Sequence, residues 1–414
     1  MINATQLGNR LRMARERRGL SQQAVATALD LPRTAVTNIE SGSRAVSTLE
    51  LTRLAELYGY SAAVFLGVNE EPGAEDLAVV LHRALPEMEQ TPAVERAVQR
   101  VLDLYCEGAV LRRLLDHTTE QSIPTYAANM TTVGDAIRQG ESVAQEERRR
   151  LGLGTAPIRS IAAFISDQGV WTAATKLPDS LSGLFVHHPT VGLAILVNRQ
   201  HWPVRRHFSY AHEYAHALFD RSETVMTTRR ENASELMEKR ANAFAAAFLM
   251  PPGGVAEHLT QINKGHPSRL AQIIFDVATN SKIEAEIRSR PGSQAITYQD
   301  VAGLAHHFGV SFEAAVWRLK SLNHISARET ARLIEQKDIG KKYIKFLGFQ
   351  ELIEEGTPPA APEQEQELRS QLIRLVIEAY RQEEISRGRL IEISRKIEVD
   401  SDELLELAEA AHAD

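Results

Sequence analysis

Between Arg205 and Phe219 the chain reads RRHFSYAHEYAHALF, and these fifteen residues restrict the possible folds more than any other stretch. Phe208, Ala211, Ala215, Leu218 and Phe219 recur at helical spacing, which predicts a largely buried helix. That helix must take His212, Glu213 and His216 inside with it, and unpartnered imidazoles and a carboxylate are expensive to desolvate. Residues four apart share a helix face, so His212 and His216 can converge on one ion with Glu213 beside it. With 14 His in 414 residues, such an HExxH spacing should arise by chance about 0.04 times. The segment is therefore expected to be a metal site. The only cysteine is Cys106, which excludes an intrachain disulfide, a thiolate-rich zinc finger and a CxxC redox pair. Histidine and carboxylate have to hold any ion.

A third ligand must come from another element, because a catalytic zinc site needs three protein donors and one open position. The metzincin continuation HExxHxxGxxH is absent, since Phe219 and Ser222 stand at those positions. The next helical pattern, SELMEKRANAFAAAFLMP, puts Glu238, Ala241, Asn242, Ala245 and Leu249 on one face. Glu238 is the expected third donor and Glu235, on the edge of that face, the reserve. The alanines would let this helix lie close to the first. By contrast, in the doublets His187-His188 and His306-His307 adjacent side chains diverge, and these read as ordinary surface or core histidines.

At the N-terminal end, Ser21 can cap a helix over Gln22 to Leu29, Asp30 and Leu31 make a turn, and Pro32 suits the first turn of a second helix reaching Glu40. Gly42 ends it. Ala26 is small where the helices cross, while Val25, Leu29, Leu31, Val36 and Ile39 point inward. This predicts a helix-turn-helix. Arg33, Thr34, Thr37 and Asn38 face outward, suited to base edges, and Arg10, Gln22 and Arg44 stand where phosphate contacts are expected. Residues 1 to 67 hold eight Arg against five acids, although the chain as a whole carries net charge −7. A basic head on an acidic body suggests that the head alone meets phosphate.

Two resemblances rest on these residues. Residues 7 to 66, with the IESGSR turn, resemble the lambda-repressor-like, XRE-type helix-turn-helix domain; Asp30 stands where that family usually has Gly. RRHFSYAHEYAHALF followed by EKRANAFAAAFLMP, with the upstream stretches GDAIRQGESVAQEERRRLGL and LPDSLSGLFVHHPTVGLAILVN, resembles the ImmA/IrrE family of metallo-endopeptidases over roughly residues 125 to 254. This resemblance implies Zn2+ bound by His212, His216 and Glu238, Glu213 as general base, and Asn242 supporting the helix or the ligands. Tyr210 and His258 are candidates for stabilising the oxyanion.

The expected fold is mainly α and multidomain, with a small β-sheet in a central zincin-like domain and an N-terminal helix-turn-helix. The expected segments are 1–67 helix-turn-helix, 68–124 helical linker region, 125–260 zinc peptidase, 261–356 helical domain with a helix-turn-helix-like unit, and 368–414 C-terminal helical module. GLFVHH and VGLAILVN are the predicted strands, and helices are expected to dominate from Pro203 onward. GVNEEPGAED and TPPAAPEQEQE (357–367) read as linkers, while 298–322 and 385–410 each read as helix, tight turn, helix.

No run approaches the ~18 apolar residues of a membrane span, and the N-terminus lacks a signal-peptide core, so a cytoplasmic protein without membrane contact is expected. The resemblances imply a dimeric regulator on a double-stranded DNA operator whose peptidase cleaves a partner repressor, or itself in the linker after Gly67. A non-proteolytic regulator or antitoxin, using the peptidase fold to bind a toxin partner or ligand, is the alternative. Hydrolysis of a small substrate is a third.

Overall fold

The computed structural model describes residues 3–17, 20–58, 62–66, 92–116, 123–188, 191–221, 225–229, 235–265, 270–276, 281–287, 294–349 and 366–410. The chain forms two compact units, centred on residues 1–87 and 88–414. The linker expected after Gly67 lies outside the described residues, as does the one at 357–367 up to residue 365. No described helix is long and apolar enough to cross a membrane.

The first unit comprises α1 (Ala4–Arg17), α2 (Gln22–Leu29), α3 (Arg33–Glu40), α4 (Thr48–Tyr58) and α5 (Ala62–Leu66). Ser21 accepts from the Ala24 amide and caps α2. Asp30 takes the left-handed conformation (φ 54°, ψ 46°), which its short polar side chain tolerates. Pro32 lies just outside α3 as its cap residue rather than within its first turn, because its ψ of 143° is extended. Val25, Ala26, Leu29, Val36 and Ile39 close the core with Leu11, Leu54, Tyr58 and Phe65. Where α1 crosses α3, a Cβ on Gly8 would stand 2.4 Å from the Ile39 carbonyl oxygen, so only glycine allows the approach. The buried Arg15 then reaches Glu40 (Nε to Oε1 2.5 Å), and this pair pins α1 to α3.

In the second unit a four-stranded sheet has the order β1-β3-β2-β4, with β1 Trp171–Thr175, β2 Leu181–His188, β3 Gly192–Asn198 and β4 Val225–Arg229. β1 runs parallel to β3; β2 pairs antiparallel with β4, its register shifting between Leu181 and Gly183. A second, two-stranded sheet joins β5 (Leu270–Asp276) to β6 (Ser281–Ile287). The two predicted strands are present. β4, β5 and β6 interrupt the helices expected to dominate from Pro203 onward, and β1 is a further strand before them. Each is five to seven residues long, too short to show a decisive period, and each is fixed by pairing rather than by local propensity.

Around the sheets stand α6 (Pro92–Leu114), α7 (Val133–Arg150), α8 (Ile161–Asp167), α9 (Pro203–Phe219), α10 (Leu236–Leu249) and α11 (Pro252–Gln261). They continue through α12 (Tyr298–Phe308), α13 (Phe312–Ser321), α14 (Ala327–Glu335), α15 (Lys337–Phe346), α16 (Gln366–Arg381), α17 (Arg387–Lys396) and α18 (Ser401–Ala410). α7 lies so close to α10 that a Cβ on Gly140 would meet the Arg240 carbonyl oxygen at 2.4 Å.

Beyond the helix-turn-helix domain, which has its own core, the expected segment boundaries do not separate cores. One apolar cluster runs from Ile123 to Ile344, so residues 125–260 and 261–356 share an interior. The expected linker helix is a packed element: Tyr105 of α6 donates to the Ile195 carbonyl of β3, and Gly108 rests on the Trp171 ring. Gln371 of α16 donates to the Ser166 carbonyl, and buried Glu107 receives Arg389 and Lys396 from α17, which joins the C-terminal helices to the same unit.

Candidate functional site

α9 begins with Pro203 in its first turn and carries a nearly unbroken buried run from Ser209 to Phe219. His212, Glu213 and His216 are all buried, between 0% and 2% exposed. α10 packs against α9 with Ala241 and Ala245 buried, and brings in Glu238, itself 1% exposed. The His212 Nε2 and His216 Nε2 atoms are 3.2 Å apart. Glu238 Oε2 is 3.1 Å from the first and its Oε1 3.6 Å from the second. Among the described residues this is the group of three placed to hold a metal ion. Glu235 is not part of it, since it is exposed at the cap position before α10.

The outer partners test whether an ion fits. His212 Nδ1 lies 3.2 Å from Asn242 Oδ1, and His216 Nδ1 lies 2.8 Å from Asp220 Oδ2. These acceptors favour the tautomer with its proton on Nδ1, which leaves both Nε2 lone pairs facing the carboxylate. Glu238 Oε1 has no hydrogen-bond partner among the described residues. Three buried electron-pair donors thus converge on one point. At metal–ligand bonds of ~2.0–2.1 Å, tetrahedral donors stand about 3.3 Å apart; the observed 3.1, 3.2 and 3.6 Å bracket that separation.

The local field agrees. Burial by itself would depress the His216 pKa, but the Asp220 hydrogen bond and the charges of Glu213, Asp220 and Glu238 outweigh it and raise the value. A site that favours positive charge at an imidazole also favours a cation beside it. Asp220 is in turn held by buried Arg240, whose Nη2 donates to both carboxylate oxygens at 2.6 and 2.7 Å. Burial pushes the Asp220 carboxyl up, yet its contacts with His216 and Arg240 prevail and hold it below the ordinary value.

A second network fixes the rotation of α9. Glu147 of α7 is fully buried; it accepts from Tyr214 Oη (3.0 Å) and Tyr126 Oη (2.9 Å) and pairs with Arg150 (2.8 Å). Tyr214 is the residue after Glu213, and its ring also packs on Phe244 and Phe248 of α10 (centroids 6.1 and 5.9 Å), so the anchor fixes α9 against both α7 and α10. Tyr210 is buried in the same helix, whereas His258 of α11 packs against His307, ring centroids 5.0 Å apart.

Residues 165–273 match the family model described as the IrrE N-terminal-like domain, and residues 6–65 match one described as a Helix-turn-helix domain. A helix-turn-helix domain and an IrrE N-terminal-like domain thus lie on one chain. No curated protein matches it. The first match lies over α1–α5, and the second runs from the end of α8 through the HExxH helix, the Glu238 helix and into β5.

On the helix-turn-helix domain, Arg33, Thr34, Thr37 and Asn38 are all exposed along α3. The other three expected contacts are tied into the domain itself. Arg10 Nη1 donates to the Phe65 carbonyl (3.4 Å), Gln22 Nε2 to Glu40 Oε2 (2.8 Å), and Arg44 Nη2 to Glu50 Oε1 (2.6 Å). Glu50 is held below its ordinary pKa by the Ser47 amide first and by Arg44 after it.

Sequence reasoning missed Asp220, Arg240, Glu147 and Gly183. A signal existed for Asp220, which follows His216 by four residues at the C-terminal cap of the same helix. For Gly183 the signal was only a glycine in a predicted strand, which marks a close approach without naming what approaches.

Proposed function

We propose that this chain is an operator-binding transcriptional regulator whose IrrE-like domain is a zinc endopeptidase acting on a partner repressor or on the chain itself. The meeting of His212 Nε2, His216 Nε2 and Glu238 at 3.1 to 3.6 Å, one residue from Glu213, carries this reading. His212, His216 and Glu238 would hold the zinc, which supplies Lewis acidity for amide hydrolysis. Glu213 takes the proton of the attacking water on its carboxylate and delivers it to the leaving nitrogen. Asn242 and Asp220 hold the Nδ1 protons and so keep both Nε2 lone pairs turned inward. Arg33, Thr34, Thr37 and Asn38 form the strip offered to base edges of the operator. Two copies on paired half-sites are the expected DNA-bound form.

A second reading has its own observation. His212, Glu213, His216 and Glu238 are at most 2% exposed, so a peptide bond cannot reach them without movement of the surrounding chain. Such burial suits a non-proteolytic regulator or antitoxin in which the ion is structural and the domain binds a toxin or ligand. Glu213→Gln separates the two. Purified chain is incubated with zinc, operator DNA and its neighbouring repressor, and cleavage is followed by mass spectrometry. Under the first reading the wild type cuts and the variant loses at least about 100-fold in rate while still binding DNA. Equal behaviour of the two proteins, with no Glu213-dependent cut, supports the second.

A further inference from the structure

We propose that Gly183 is the positioning residue of Glu213, with the backbone of β2 acting as a wall that fixes where the carboxylate points. The inference rests on the reading of Glu213 as the proton carrier. A Cβ built on Gly183 would stand 2.7 Å from Glu213 Oε1, 3.0 Å from its Cγ and 3.1 Å from its Cδ. These three nearest atoms all belong to Glu213. Backbone conformation does not demand glycine here, because Gly183 lies outside the left-handed region. A strand interior ordinarily favours β-branched or aromatic residues, and glycine there marks a close approach. Space for the Glu213 side chain is what requires it.

The wall is also tied to the helix it faces. The β2–β4 register shifts between Leu181 and Gly183, a bulge of the kind that re-aims a strand beside a site. Ser182, inside that shift, accepts from Arg205 Nη2 at 3.2 Å, and Arg205 lies on the same helix as Glu213. That hydrogen bond ties strand to helix beside the site. A fully buried carboxylate pressed on one side by main chain has few rotamers left.

The test uses the full chain and a thermal double-mutant cycle of Gly183→Ala, Glu213→Ala and the double variant. Gly183→Ala should lower Tm by about 3 °C or more when Glu213 is present. In the Glu213→Ala background it should be neutral or stabilising, since alanine restricts the unfolded chain more than glycine. An equal fall in both backgrounds overturns the proposal. In parallel, Gly183→Ala should retain the metal content of the wild type by elemental analysis yet lose at least about tenfold in kcat for Glu213-dependent cleavage, with KM unchanged. Wild-type kcat in that variant also overturns it. A wild type that never cleaves instead refutes the peptidase reading, and the thermal cycle still decides the role of Gly183.

Discussion

Asp220 serves two partners at once, and the two services separate experimentally. It accepts from His216 Nδ1 at 2.8 Å and receives Arg240 Nη2 on both oxygens. Arg240 is 0% exposed and Asp220 5%, and the guanidinium lies 4.1 Å from the centre of the Phe219 ring. Asp220→Ala strands a buried cation, which should destabilise the second unit by about 3–5 kcal/mol. For a unit of this size that corresponds to a fall in Tm of roughly 4–7 °C. Adding Arg240→Met removes the stranded charge and should restore most of the loss, because a buried pair replaced by apolar groups is often near neutral. Zinc affinity should behave differently. His216 has lost its Nδ1 acceptor in both variants, so competition with a chromophoric chelator should show metal binding about 10–100-fold weaker in each. If Arg240→Met restores no stability, the stranded-charge argument is wrong. If it restores zinc affinity as well, Asp220 does not orient His216.

Two further outcomes follow from single residues. Arg33→Ala and Asn38→Ala should each weaken operator binding by about 1–3 kcal/mol in a mobility-shift titration and leave Tm unchanged, because both side chains are exposed; a fall in Tm would show that they belong to the core. His207 is half-buried, its Nε2 has no hydrogen-bond partner among the described residues, and burial lowers its pKa to about 4. The unfolded chain then binds this proton more readily, so the contribution is intact above about pH 6.5 and is lost as the pH falls toward 4. His207→Gln should lose stability less steeply than the wild type across that window; parallel Tm profiles would refute it.

The His-His-Glu group was legible because both of its parts obey helical periods. Four residues separate His212 from His216, and Glu238 stands on the same face as Ala241, Asn242 and Ala245, so one rule of 100° per residue placed all three donors. The turn at Asp30 was legible for a similar reason, as few residues other than glycine adopt its φ of 54° so readily. What escaped depends on distance along the chain. β4 is defined by β2, some forty residues earlier, and Val-Met-Thr-Thr-Arg has no period to announce it. A count of charges cannot show that Arg44 is taken by Glu50, or Gln22 by Glu40. Gly183 is an unremarked glycine until Glu213 arrives against it from a different element.

Among the described residues, a helix, a positive-φ turn and a second helix whose cap lies two residues after that turn residue recur three times, yet only the first copy lies in the helix-turn-helix domain. Asp30, Gly309 and Glu398 all take positive φ (54°, 64° and 55°). The next residue in each case sends its amide back five positions, Leu31 to Ala26, Val310 to Ala305 and Val399 to Ser394, at 2.9 to 3.0 Å. Pro32 and Ser311 then cap the following helix, and Asp400 accepts from the Asp402 and Glu403 amides. The turn cannot be what makes a reader. In the second copy Phe312 and Val316 are buried, and Gly340 of α15 sits so near the Phe312 ring that a Cβ would come within 2.4 Å. In the third, Asp402, Glu403, Glu406 and Glu409 are exposed on α18, four carboxylates that would repel phosphate. Residues 88–414, which carry their own core, should therefore show no salt-dependent affinity for operator DNA, while the full chain does. Retention of sequence-specific binding by that fragment in a salt titration would mean that one of the later turns, and not the exposed strip on α3, reads the operator.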